Sequence, residues 1–255
     1  MSSVADAYSA GAIAWADGPA RVYGRLADAL VAFSPTPLRG AAVLDLGSGT
    51  GVGTVAAQAA GARVIATDIS WEMLRVERAQ RPASAAGDAL AAPFRTNAFD
   101  VVLAAFSLNH FEDPASAMRE ARRLAPRLLA STYASDDDHP VKHAVDVALT
   151  EQGWSAPEWY SNLKRAMQSW GTVDSASAAL TRAGLETVKV ERLEVPFPGL
   201  TPQDLVAWRL GMAHTAPYVA GLDERAQRTV TDRALELLGP DAELLVRKVI
   251  FVAAT

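Results

Sequence analysis

Apolar positions along the chain follow two periods. Val4–Ala16 and Pro19–Phe33 repeat at helical spacing, while runs such as Ala42–Leu46 and Leu128–Tyr133 are short and continuous, as in strands buried on both faces. Gly18 parts the two opening helices and Pro19 suits a first helical turn. Ser34-Pro35-Thr36-Pro37 ends the second helix, because a residue before proline resists the helical region. Strands and helices then alternate. Ala42–Leu46, Arg63–Thr67, Ala83–Ala86, Phe99–Ala105 and Leu128–Tyr133 read as strands. Between them lie a helix ending near Gly61, one over Trp71–Gln80 capped by Ser70, and one begun by Asp113 as cap and Pro114 as first residue. This order predicts a parallel sheet with helices on both faces. After Tyr133, residues 136–185 read as helical and carry Trp154, Trp159, Tyr160 and Trp170. Glu186–Phe197 reads as a strand, Pro202–Gly239 as helical, and Leu244–Ala253 as a closing strand. No repeat or low-complexity linker divides the sequence, so one α/β domain with helical additions is expected.

Composition narrows the function. A chain of 255 residues, half of them hydrophobic, supports one sizeable core. The net charge of -5 and the lack of a basic run count against nucleic acid as the main partner, because phosphate binding needs clustered Lys and Arg. Without cysteine there are no disulfides, thiolate metal sites or cysteine nucleophile. Met1-Ser2-Ser3-Val4-Ala5-Asp6 lacks the charged start and apolar centre of a signal peptide, and no uncharged apolar run is long enough to span a bilayer. A cytoplasmic location without membrane contact is therefore expected.

Val43-Leu44-Asp45-Leu46-Gly47-Ser48-Gly49-Thr50-Gly51-Val52-Gly53 is the most telling segment: an apolar strand, an acidic residue, then glycines at alternating positions opening a helix. Such spacing lets backbone turn sharply and approach a ligand closely. A dinucleotide fingerprint, G-x-G-x-x-G, fails in both registers, since Val52 and Thr54 stand where its last glycine belongs. Asp68, at the end of the second strand, is placed to accept hydrogen bonds from both hydroxyls of a ribose, which supports a nucleoside without choosing between NAD and adenosylmethionine. Gly87-Asp88-Ala89 follows the third strand, where an adenine amino group could be read.

Asp45-Leu46-Gly47-Ser48-Gly49-Thr50-Gly51, Asp68, Gly87-Asp88-Ala89 and Phe99-Asp100-Val101-Val102 together resemble the ordered motifs of class I S-adenosylmethionine-dependent methyltransferases, and most of all the small-molecule branch called methyltransferase type 11. The resemblance covers about residues 40–135. It implies a Rossmann-like doubly wound sheet of seven mostly parallel strands, with an antiparallel last strand and a helical cap. Residues 1–35 would be an N-terminal helical lid, 36–135 the cofactor-binding core, and 136–185 and 200–240 cap elements around the closing strands. Carried over by position, Asp45 and the backbone of Gly47, Ser48, Gly49 and Gly51 would face the methionine part of S-adenosylmethionine. Asp68 would hold the ribose, Ile69 and Met73 would pack on the adenine, and Asp88 with the Ala89 amide would read it. Ala105 and Phe106 would border the methionine, and Tyr23 would contact its carboxylate, with Tyr8 and Trp15 in the same lid. The chain departs from the family at Leu124-Ala125-Pro126-Arg127, where members often carry Pro-Gly-Gly.

Methyl transfer needs alignment, exclusion of water and, for some acceptors, a base. His110, in Phe106-Ser107-Leu108-Asn109-His110-Phe111, is the candidate, its alternative role being a wall of the cofactor site beside Asn109. His139 and His143 share one helical face by spacing; without a carboxylate at 107 or 109 a metal is not expected, and Asp136-Asp137-Asp138 read as a solvated acidic helix start. Trp159, Trp208 and His214 are candidate walls of an acceptor pocket, where aromatic faces could also shield a sulfonium. The expected activity is methyl transfer to O, N or C of a small molecule such as a secondary metabolite, yielding S-adenosylhomocysteine. The alternative is a protein of the same fold that binds the cofactor only, or catalyses a cyclisation or rearrangement without methyl transfer. Monomer and homodimer both remain open.

Overall fold

The computed structural model describes residues 3–255; Met1 and Ser2, part of the segment scanned for a signal peptide, lie outside them. Seven strands, β1 (Ala42–Leu46), β2 (Arg63–Asp68), β3 (Ser84–Ala86), β4 (Val101–Ala105), β5 (Leu128–Tyr133), β6 (Thr187–Pro196) and β7 (Val246–Ala254), form one sheet in the order β3-β2-β1-β4-β5-β7-β6. β1 to β5 pair in parallel, and β7 runs antiparallel to both β5 and β6. The doubly wound sheet with an antiparallel last strand is thus present. The order reverses between β1 and β4, so their carboxyl ends open a crevice, the switch point at which such sheets bind ligands.

Among the described residues twelve α-helices accompany the sheet: α1 (Val4–Ala10), α2 (Ala12–Asp17), α3 (Pro19–Phe33), α4 (Val52–Ala59), α5 (Trp71–Arg75), α6 (Pro114–Leu124), α7 (Pro140–Glu151), α8 (Glu158–Gln168), α9 (Val173–Ala183), α10 (Pro202–Leu210), α11 (Ala216–Ala220) and α12 (Glu224–Leu238). Leu26, Leu30 and Phe33 of α3 and Ala57 of α4 share a core with Val43, Val101 and Leu103 on one face. Met118 and Ala121 of α6 and Ala179 and Leu180 of α9 share the other with Leu44, Val102 and Ala104. Val145 and Leu149 of α7, Leu205 of α10 and Val230 of α12 extend the first core.

The structure redraws several expected boundaries for local reasons. The first helix breaks at Gly11 into α1 and α2, and Ser3 and Asp6 close a reciprocal capping box at its start. Gly18, which caps α2 and α3, lies so near α10 that a Cβ there would come within 2.7 Å of the Ala207 carbonyl oxygen. The helix expected to reach Gln80 stops at Arg75. Glu77 turns left-handed (φ 51°), and Arg81 folds back to donate to the Met73 carbonyl at 2.9 Å. β4 starts at Val101, because the Asp100 carboxylate accepts the Ala42 N–H (2.7 Å) beside β1. The 202–239 stretch divides into α10, α11 and α12. Within the 136–185 stretch expected as cap, α9 instead packs on α6 and β6 at the sheet.

Trp170, just before α9, is fully buried (0 % exposed) among the residues of that second core. Trp170→Ala should cost about 3–5 kcal/mol of unfolding free energy in a denaturant titration. A loss under about 1 kcal/mol would show the site to be far less packed than described.

Candidate active site

The site begins with a close contact between strand ends. Gly47 follows β1 at φ 72°, and a Cβ on it would come within 2.4 Å of the Ser107 Cβ. The Ser107 hydroxyl donates to the Leu46 carbonyl at 2.6 Å, so the ends of β1 and β4 are held together where only glycine fits. The Gly47 and Ser48 N–H groups donate to the Thr67 carbonyl, each at 2.9 Å, which ties the loop to β2. Asp68, the last residue of β2, accepts the Gly49 N–H on Oδ2 and the Ser70 N–H on Oδ1, each at 2.8 Å. Burial pushes its carboxyl above the usual range, opposed by those two N–H groups.

A cavity of 850 Å³ opens over this loop. Gly47, Ser48, Gly49, Asp68 and Met73 border one end, with the exposed Ile69 and then Asp88 and Ala89 beyond them. Ala105 and Phe106 border its middle. Phe106 is held left-handed (φ 57°), unusual for an aromatic residue and a mark of backbone strain at a site. Its ring packs between Tyr23 (centroids 5.4 Å apart) and Tyr133 (4.6 Å), while Trp15 and Tyr8 continue the aromatic series. Tyr23, Trp15 and Tyr8 border the cavity, as does Asn109, whose buried Oδ1 has no protein partner.

Two expected members lie elsewhere. Asp45 is buried under the loop rather than facing the cavity: its Oδ2 accepts the Thr54 hydroxyl (2.7 Å), its Oδ1 has no partner, and burial raises its pKa to about 6. Gly51 (φ 98°) also turns away from the cavity, with the Arg81 guanidinium 3.3 Å from where its Cβ would be. Arg81, missed in the sequence, donates to the Gly49 carbonyl (2.9 Å) and the Ser48 hydroxyl (3.1 Å), and its charge acts on both Asp45 and Asp68.

His110 stands in the turn after β4. A carbonyl can only accept, so the ring donates from Nδ1 to the Ser107 oxygen (2.9 Å), and Nε2 therefore accepts the Tyr8 hydroxyl (3.0 Å). Burial lowers the pKa of the ring, which keeps it neutral with a basic Nε2. At the far end Trp159, Trp208 and His214 all border the cavity. His214 stacks on Tyr160 at 3.8 Å and 3°, and burial beside Arg209 depresses its pKa well below the usual value. Arg209 in turn donates to the Tyr160 hydroxyl (3.2 Å) and to Asp146 (2.9 Å).

The Asp136–His143 segment corrects the sequence reading. His139 precedes α7 as its cap, accepting the Val141 N–H on Nδ1 (3.2 Å) and donating from Nε2 to the Glu243 carbonyl (3.1 Å), so it shares no helical face with the exposed His143. Asp137 is buried, not solvated, and binds Arg247 through both carboxylate oxygens. Among the described residues no cluster of three His, Asp or Glu is placed to hold a metal. Tyr133, Tyr160, Arg209 and Arg247 border the cavity without having been singled out. Nothing in the sequence separates Arg247 from its neighbour Lys248; the pleat of β7 alone puts one inside.

Comparison with known proteins fits this geometry. A family model described as "Methyltransferase domain" matches residues 44–127. The demethylmenaquinone methyltransferase of Corynebacterium kroppenstedtii is 30% identical over 166 residues, 60% of this chain and 71% of that one. That of Mycobacterium tuberculosis (strain CDC 1551 / Oshkosh) is 30% identical over 164 residues, 60% and 70% of the two chains. The chain is a class I S-adenosylmethionine-dependent methyltransferase.

Among solved structures, phosphoethanolamine N-methyltransferase 2 of Haemonchus contortus, with phosphomonomethylethanolamine and S-adenosylhomocysteine, superposes with TM-score 0.59 at 20% identity, over 100% of this chain and 60% of that one. The [4+2]-cyclase SpnF superposes with TM-score 0.54 at 22% identity, over 91% and 80%. Both likenesses concern the fold. The methyltransferase uses S-adenosylmethionine, and its cavity suits that molecule: a floor of glycine backbone that a Cβ would crowd, with the Asp68 carboxylate and the Met73 thioether beside it. No helix among the described residues is long and apolar enough to cross a membrane.

Asp45 supplies a pH test of the buried loop. Its folded pKa of about 6 lies above the ordinary 3.8, so the proton it holds stabilises the fold fully below pH 3.8, and that contribution is lost as pH rises through 6. Asp45→Asn cannot ionise. It should gain on the parent by about 3 kcal/mol across that interval in unfolding titrations. Parallel stability curves for the two proteins would contradict the burial of Asp45.

Proposed function

We propose that the enzyme methylates a small planar acceptor at oxygen or carbon, and that the acceptor lies in the part of the cavity beyond β4 and β5. What carries this reading is the continuity of one cavity from the glycine loop to the aromatic wall of Trp159, Tyr160, Trp208 and His214. A flat molecule buries most surface against such a wall. The relatives' name, demethylmenaquinone methyltransferase, is in keeping with a planar acceptor. An overall charge of -5 speaks against a nucleic acid in that role.

At the cofactor end, Asp68 keeps lone pairs for the two ribose hydroxyls after accepting the Gly49 and Ser70 N–H groups. Ile69 and Met73 pack on the adenine, and Asp88 with the Ala89 amide reads its edge. Gly47, Ser48 and Gly49 approach the methionine portion, which Ala105, Phe106 and Tyr23 border. Bound S-adenosylmethionine supplies an electrophilic methyl group. The protein's share is to align the acceptor, exclude water and take up a proton where the acceptor carries one.

His110 is the group for that last task. Its Nδ1–H is anchored on Ser107, so its only free lone pair is on Nε2, and Tyr8 of α1 occupies it. An acceptor hydroxyl reaches Nε2 when Tyr8 gives way, which couples entry of the acceptor to the opening helices. In this reading residues 1–35 act as the lid, 36–135 as the cofactor core, and α7, α8, α10 and α11 as the cap.

Asp68→Ala should weaken S-adenosylhomocysteine binding about 10- to 100-fold in calorimetry, since the ribose loses a charged partner. Unchanged affinity would contradict the ribose assignment. His110→Ala should keep that affinity and lower kcat about 100-fold or more with a hydroxyl acceptor. Lost cofactor affinity with kcat preserved would make His110 a wall of the cofactor site instead.

A further inference from the structure

The best-organised polar cluster outside the cofactor end lies where β7 passes the end of β5. Arg247 and Asp137 are both buried, their side chains 4% and 3% exposed. The guanidinium spends one edge on the carboxylate, Nε on Oδ1 at 3.0 Å and Nη2 on Oδ2 at 2.7 Å. Lys142 Nζ also donates to Asp137 Oδ2 (3.0 Å), and the Lys248 N–H to Oδ1 (2.9 Å). Asp137 is therefore saturated, with one carboxylate between two cations. Asp136 and Asp138, its acidic neighbours, point outward with side chains 55% and 85% exposed. Lys142, its side chain 24% exposed, also pairs with Asp138 at 3.7 Å, and burial with the nearby Arg247 holds its ammonium below the usual range.

The same cluster has donors to spare. The Arg247 guanidinium lies 4.0 Å from the centre of the Tyr133 ring and 4.8 Å from that of Trp208. With Nε and Nη2 engaged, Nη1 is its free corner. Arg247 Nη1, the Tyr133 hydroxyl and the Trp208 Nε1–H are all buried without a protein partner, although buried donors are almost always paired. All three residues border the cavity, and Tyr133 packs on Phe106 at 4.6 Å. Three unpaired donors, one of them on a buried guanidinium, match one kind of ligand atom, a negatively charged oxygen.

We infer that the acceptor carries an oxyanion on its planar skeleton, and that Arg247 Nη1, the Tyr133 hydroxyl and the Trp208 indole N–H bind that oxygen. The inference rests on the acceptor cavity proposed above and names the class of molecule that fits it. The anchored oxygen is not the atom that gains the methyl group, because the guanidinium withdraws the electron density a nucleophile needs. The reacting atom lies further along the skeleton, towards Phe106 and His110. A carboxylate and an ionised phenol or enol offer the same oxyanion, and binding experiments tell them apart.

Three probes are titrated by calorimetry into the enzyme saturated with S-adenosylhomocysteine: 2-naphthoate, 4-nitrophenol at a pH where it is ionised, and neutral 2-naphthamide. At least one anion should bind about tenfold or more tighter than the amide. Preference for the naphthoate identifies a carboxylate, and preference for the nitrophenolate an ionised phenol or enol. Arg247→Met should abolish the preference. Because that change strands Asp137, Tyr133→Phe, which removes one hydroxyl, is the second variant and should cut anion affinity about fivefold while sparing the amide. Equal binding of anions and amide, no binding of any probe, or full preference in Tyr133→Phe would overturn the inference. Saturation by S-adenosylhomocysteine is measured first in the same sample. Its failure would count against the cofactor site itself, whereas success without an anion preference would count against the oxyanion subsite alone.

Discussion

The site depends on how closely the carboxyl ends of β1 and β4 approach. Gly47 faces the Ser107 Cβ with no room for a side chain, and the Ser107 hydroxyl bonds the last carbonyl of β1. That contact fixes the glycine loop against the end of β4, at the one place where the sheet order reverses. Backbone rather than side chain then floors the cavity, and the Asp68 carboxylate is set by two loop N–H groups instead of by solvent. A larger residue at 47 would separate the strands and dissolve these relations together.

From that contact an ordered set of aromatic rings leads outward. Phe106, strained at the end of β4, links Tyr23 of the opening helices to Tyr133 of β5, and Tyr133 carries the Arg247 guanidinium on its face. The cavity therefore has two chemically distinct ends. One is backbone-rich with two carboxylates, Asp68 and Asp88, suited to a cationic nucleoside. The other is aromatic and rich in donors. Methyl transfer brings a sulfonium towards an electron-rich atom, and the polarity of the cavity runs in that sense.

The first half of the fold was legible because its strands are buried on both faces and punctuated by turn residues. β1 and β5 coincide with their expected spans, and Asp113 and Pro114 start α6 as read. The Trp71–Gln80 helix was misjudged since local propensity cannot see Arg81 reaching back to Met73 and Gly49. At the site, most of the motif residues border the cavity, whereas Asp45 and Gly51 do not, because the loop that carries them closes over the acid. Arg247, Tyr133 and Asp137 were invisible for a different reason. They come from β7, β5 and the connection after β5, and only the antiparallel pairing of β5 with β7 brings them together. An acidic run beside a helix start looks solvated in sequence until the partner of its middle residue is known.

Transfer of a methyl group from bound S-adenosylmethionine to a planar acceptor is the reaction proposed for this cavity. It is tested most directly by mass spectrometry with methyl-labelled S-adenosylmethionine and a panel of planar phenols and enols, counting S-adenosylhomocysteine against labelled product. One S-adenosylhomocysteine is expected for each labelled acceptor. Conversion of an acceptor with the label retained on S-adenosylmethionine would contradict it.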